Sequence, residues 1–215
     1  MKTMKSHIIF VLSILLFSVN INAQTDSRNR TKETIVQDGL AQLPAKNLKS
    51  LNQVMSEIAK TGKDGAEMLV GMLLPADQAK NATFEYAIDG LVSYVSQPTN
   101  KSLKADVMKG LVAGFDKCKD NTNRAFLVSQ MKRIATAEDA PFFANLLKDN
   151  NLQDAAINAL ASIEGSDGLI KDLIKNNATP KDGLAYLAYF KKLKGVEDNL
   201  LSWTNGANPK TLASE

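Results

Sequence analysis

The chain carries one cysteine, one histidine and one tryptophan in 215 residues, and no stretch of it sustains an alternation of apolar and polar side chains. Each scarcity excludes something. Cys118 has no second cysteine to pair with, so no intramolecular disulfide can staple the fold. It is read as a packed thiol near the end of a helix carrying Leu103, Val107, Leu111 and Phe115. The single histidine, His7, lies in a segment built like a cleaved secretory signal: Lys2 and Lys5, an uncharged apolar run over 8–19, and the small residue Ala23 before Gln24. That run of about a dozen residues falls short of the ~20 that a membrane span requires. With 1–23 removed, the remainder has no histidine, which excludes Ser-His and Cys-His nucleophilic pairs and any His or Cys zinc cluster. No catalytic residue, cofactor or metal ligand is therefore expected. The expected address is periplasmic or secreted.

A charge excess is also missing. Loss of Lys2 and Lys5 takes the 26 basic residues to 24 against 23 acidic ones, a net charge of +1. Nucleic-acid binding draws on a strong basic excess that displaces phosphate counterions, so no nucleic-acid partner is expected. Residues 24–30 (QTDSRNR) read as a polar leader, and 31–215 as the folded part.

What is abundant is helical periodicity. In 138–163 (EDAPFFANLLKDNNLQDAAINALASI), Phe142, Phe143, Leu146 and Leu147 share one face of a first helix, started by a Thr136–Asp139 capping box, with Pro141 in its first turn. Asn150 is the expected cap of a second helix, in which Leu152, Ala155, Ala156, Ala159, Leu160 and Ile163 form a stripe. Neither stripe can be buried by its own pair alone, and another pair of the same kind covers it.

The chain repeats this theme. Pairs are expected at 31–43 with 47–60 (Leu48, Leu51, Val54, Met55 and Ile58 inward), at 64–74 with 83–96, and at 102–118 with 122–135. Gly90 within the stripe of 83–96 marks a close helix approach. A fifth pair fixes the register: Leu169, Ile170, Leu173, Ile174, Lys175 and Asn177 reproduce Phe142, Phe143, Leu146, Leu147, Lys148 and Asn150 at a constant offset of 27. Thr179-Pro180 is the expected start of its second helix. A sixth pair begins with Val196, Leu200, Leu201 and Trp203, with Asn208-Pro209 as a further helix start; ending at Glu215, it leaves Trp203 under-covered and implies a longer natural chain. The expected fold is an all-α, right-handed α-solenoid of about five and a half antiparallel helix pairs.

Helix-turn-helix units of this length, APFFANLLKDNNLQDAAINALASI above all, resemble HEAT repeats, including the short kind found in bilin lyase-type proteins. The usual proline and aspartate of such units match Pro141 and Asp149, and Arg124 alone matches the usual arginine of the second helix. Such stretches also resemble the N-terminal part of exported bacterial proteins that continue into a 3-keto-disaccharide hydrolase-like domain. The resemblance implies an exported interaction scaffold that binds a protein or peptide, or a C-terminal domain of the same chain, on its second helices. The alternative is an accessory arm of a secreted carbohydrate-active hydrolase, with carbohydrate reached only through that linked domain.

Candidate sites are few. The acidic neighbours Glu138-Asp139, Asp64 with Glu67, and Glu197-Asp198 fall at helix starts, where the dipole favours acids. KDNTNR (119–124) and KDNNLQD (148–154) lack the spacing and central glycine of an EF-hand loop. The sequons at Asn81, Asn100 and Asn177 precede helices and read as caps. The one expected recognition patch is Tyr186, Tyr189 and Lys192, spaced i, i+3, i+6, where aromatic rings beside an ammonium can stack a sugar, a base or a partner's side chain. That helix is apolar nearly all round, so these side chains also suit a core.

Overall fold

In a computed structural model of the chain, residues 30–78 and 80–203 are described, and they form helices without a single strand among them. The expected secretory signal at 1–23, the polar leader at 24–30 apart from Arg30, and the helix start at Asn208-Pro209 lie outside the described residues. Contacts divide the chain into the units Met1–Arg30 and Thr31–Glu215, and every helix below belongs to the second.

The α-helices are α1 (Lys32–Leu40), α2 (Leu48–Lys60), α3 (Lys63–Gly71), α4 (Ala82–Ser96), α5 (Lys101–Lys117), α6 (Asn121–Met131), α7 (Ala140–Leu146), α8 (Gln153–Ser162), α9 (Asp167–Lys175), α10 (Lys181–Phe190) and α11 (Glu197–Trp203). Each of the first ten overlaps an expected helix. Sequence neighbours pack as α1 with α2, α3 with α4, α5 with α6, α7 with α8 and α9 with α10. The even-numbered helices also meet in succession, α2 with α4, α4 with α6, α6 with α8 and α8 with α10, while α3 packs on both α1 and α5. One continuous cluster results, running from Val36 to Val196 through Ile58, Leu91, Leu127 and Leu160.

The capping box is present: the Thr136 amide donates to the Asp139 carboxylate at 2.8 Å and the hydroxyl lies 2.9 Å from it. It opens a 3₁₀ turn, Ala137–Asp139, that runs into α7 with Pro141 in its first turn. The cap expected at Asn150 is not formed. Asp149 takes over the turn, its carbonyl accepting the Leu152 and Gln153 amides and its carboxylate accepting the Asn151 amide at 3.0 Å. An aspartate one residue upstream of Asn150 satisfies the same orphan donors sooner.

The 27-residue register extends to burial. Phe143, Ile170 and Ile174 are fully buried, Leu147 nearly so, and Phe142 and Leu169 are half-buried. The second helices start 28 apart, at Gln153 and Lys181, one residue more than the 27 between the first helices. Ala156, Ala159 and Leu160 then correspond to Leu184, Leu187 and Ala188, with small and large side chains exchanged. The following turns match too, since Gly165 and Gly195 share φ +81°, a left-handed conformation that glycine adopts without strain.

One expected core residue is misplaced: Leu48, the first residue of α2, is 69% exposed and lines an open groove. Gly90 is where α4 meets α2, with the Met55 sulfur 3.2 Å from the position a Cβ would take. Trp203 is half-buried, its indole N–H donating to Asn177 Oδ1 at 2.8 Å and the Lys181 ammonium 5.5 Å above its ring.

Candidate functional site

Tyr186, Tyr189 and Lys192 do not form one face. Tyr186 sits on the core side of α10 and stacks on Phe190, with ring centroids 5.8 Å apart and planes 22° from parallel. Tyr189 is 60% exposed. Lys192 lies beyond the helix end, where its φ of +53° turns the chain away from the helical register that the i, i+6 spacing assumes. Phe190, 55% exposed, occupies the place beside Tyr186. Its i, i+4 relation to Tyr186 was available in the sequence.

A second polar arrangement spans the even-numbered helices. Arg133, just past α6, donates to Asp89 Oδ1 and Ser93 Oγ of α4 and to Gln130 Oε1 of its own helix, each at 2.6 Å. Nearby on the even-numbered set, α2 and Tyr94 of α4 line an open groove of about 730 Å³ with Asn52, Gln53, Ser56 and Glu57. Leu48 and Lys49 complete the lining, so the groove sets an exposed apolar side chain and a cation beside these hydrogen-bonding groups. Nothing in sequence spacing joins Arg133 to Asp89, 44 residues away.

Arg124 shows how units are joined. Its guanidinium donates to Asp149 Oδ2 at 3.0 Å, in the turn of the following unit, and lies 4.6 Å over the Phe115 ring. Phe115 in turn meets Phe142 edge-on at 5.2 Å. The Asn151 amide, and after it the Arg124 guanidinium, hold the Asp149 carboxyl below its ordinary range.

The asparagines expected as caps do other work. Asn81 is buried and bonds Leu74 twice, accepting its amide at 2.8 Å and donating to its carbonyl at 2.7 Å. Asn123, 2% exposed, donates to the same carbonyl at 2.7 Å and accepts from Asn81 at 3.1 Å. Asp120 caps α6 through the Asn123 amide and also accepts the Ala76 amide, and these bonds lower its pKa. Asn100 donates to the Tyr94 carbonyl, and Asn177 accepts from Trp203.

Cys118 is half-buried, its sulfur 3.8 Å from the Asp120 carbonyl. Among the described residues, no group of three or more His, Cys, Asp or Glu is placed to hold a metal ion. Asp64 is bonded to Lys32, which lowers its pKa, and Glu67 is paired with Lys117. Both are thereby ion-pair partners between helices. No helix among the described residues is long and apolar enough to cross a membrane.

These features define an all-α chain with polar surfaces spread over successive helices. Compared with known proteins, the chain matches no family model, no curated protein and no solved structure.

Proposed function

We infer that the chain is an exported, non-catalytic scaffold of HEAT-like repeats, arranged as a right-handed α-solenoid, whose even-numbered helices bind a protein or peptide partner. The observation that carries this reading is the succession α2, α4, α6, α8, α10, each helix packing on the next, together with the shared burial register of α7 and α9. Repeats in which each unit contacts its neighbours give extended binding surfaces. The carboxamides, hydroxyls and paired ions of Asn52, Gln53, Ser56, Ser93 and Arg133 supply hydrogen bonds along that surface. The exposed Tyr189 and Phe190 add an aromatic end.

Site-specific photo-cross-linking tests the reading. A photoreactive residue at Ser56 or Ser93 gives discrete adducts in the source cells, and one at Asp172 of α9 does not. Equal adducts at all three positions, or none at Ser56 and Ser93, overturn it. Intact-mass analysis of the exported protein checks the address, with a chain starting at Gln24 as the expected result.

A further inference from the structure

The helix pairs are not joined with equal strength along the chain. The first three are braced to one another on both sides. Lys32 pairs with Asp64 and Lys117 with Glu67 across the odd-numbered helices, Arg133 reaches from the end of α6 to Asp89 and Ser93 of α4, and Asn81 and Asn123 both bind the Leu74 carbonyl. α3 and α5 also cross closely, since a Cβ on Gly114 would come within 2.5 Å of the Val70 side chain. The last pairs have a brace of their own. The Lys191 side chain, 11% exposed, donates to the Ile163 carbonyl at 3.0 Å and pairs with Asp167, tying the end of α10 to the turn between α8 and α9.

Between these two blocks the joint is one-sided. α6 packs on α8, but the α5 and α7 backbones make no approach like that of α3 and α5. A cleft of about 430 Å³ lies there instead, lined by Met108, Val112 and Ala113 of α5 and by Glu138, Asp139 and Phe142 of the next unit. Among the described residues a single ion pair crosses the joint, Arg124 with Asp149, whose side chains are 23% and 29% exposed. A pair that solvent reaches is a weak tie. Beside it, Phe115 lies under the Arg124 guanidinium and meets Phe142 edge-on.

We propose that the chain bends at this joint as a hinge, with the α6–α8 contact as pivot, the cleft as the gap that opens and closes, and the Arg124–Asp149 pair with the Phe115–Phe142 contact as latch. Well-braced blocks move as rigid bodies about the place where few contacts cross. Bending changes the angle at which α4 and α6 face α8 and α10, so a partner that spans the even-numbered helices selects one angle. The hinge itself does not depend on that partner.

Distances between spin labels, measured by pulsed electron paramagnetic resonance on the whole chain carrying Cys118→Ser, test it. Ala105→Cys with Asp172→Cys places exposed labels on α5 and α9, across the joint, and Gln37→Cys with Ala105→Cys places them on α1 and α5, within the first block. The pair across the joint is expected to give the wider distance distribution. Arg124→Ala is expected to widen it further and to leave the first-block pair unchanged. Ala113→Phe, which fills the cleft, is expected to narrow it. Equal widths for the two pairs, or no narrowing by Ala113→Phe, overturn the proposal. That comparison decides even where Arg124→Ala loosens the whole chain, which the first-block pair would reveal. None of these results bears on cross-linking at Ser56 or Ser93, so the hinge and the scaffold reading fail separately.

Discussion

At the scale of single residues, the most consequential side chains are small polar ones that bind backbone far away in sequence. Asn123 sits 49 residues from Leu74, whose carbonyl it binds, so it joins α6 to the linker before α4. A buried carboxamide with both ends satisfied stabilises modestly, but its removal strands its partners. Asn123→Ala is expected to cost about 1–3 kcal/mol in urea unfolding. Asp120 belongs to the same cluster and adds a pH dependence. Its folded pKa is lowered by the Asn123 and Ala76 amides, so the native state favours the carboxylate. The stabilisation is fully present above about pH 5 and is lost as the pH falls from about 4 through the lowered native value. Asp120→Asn is therefore expected to melt below the parent at pH 7 and to lose less Tm than the parent between pH 5 and pH 3, as differential scanning calorimetry would show. Equal losses would separate Asp120 from acid unfolding. The sequence showed these residues as loop and cap types, but the partner of each is chosen by the turn that tertiary packing brings to it.

At the scale of elements, helix positions were legible because a 3.6-residue stripe reports the buried face regardless of what covers it. What covers it was not legible, and the glycines show why. Gly110 in α5 and Gly168 in α9 look alike in sequence. A Cβ on Gly110 would meet the Lys63 carbonyl at 2.2 Å and Ala66 Cβ at 2.6 Å, whereas one on Gly168 would meet nothing within 4 Å. Gly110→Ala must push α5 off the α3 backbone, and the expected loss of about 2–3 kcal/mol exceeds the gain in helix propensity of up to ~1 kcal/mol. Gly168→Ala has only that gain and is expected to stabilise by about 0.5 kcal/mol. Denaturant titrations giving both substitutions the same sign would overturn the close crossing of α3 and α5. Leu48 makes the same point from the other side: it continues the α2 stripe yet stays 69% exposed at the start of the helix.

At the scale of the whole molecule, α4, α6 and α8 each pack on the even-numbered helix before and the one after, so a local fault is felt by neighbours first. The repeat that made this arrangement readable is the 27-residue register, in which Phe143 and Ile170 occupy the same buried place. The Tyr186, Tyr189, Lys192 patch was less readable, because the spacing continued a helix that stops at Phe190. Ala159 of α8 tests how far disturbance travels. It is fully buried in the helix that packs on both α6 and α10, so Ala159→Asp places an unpaired carboxylate where water cannot reach it. A cost of about 3 kcal/mol or more is expected, a large part of the stability of a domain this size. In a globule with one cooperative core, hydrogen exchange would rise throughout. In an array coupled through neighbours, protection is lost first in α6–α10 and retained in α1–α3, whose contacts with α5 and α4 do not include the altered face. Hydrogen-exchange mass spectrometry of the variant distinguishes the two, and uniform loss of protection would count against the solenoid reading while leaving the helices themselves in place.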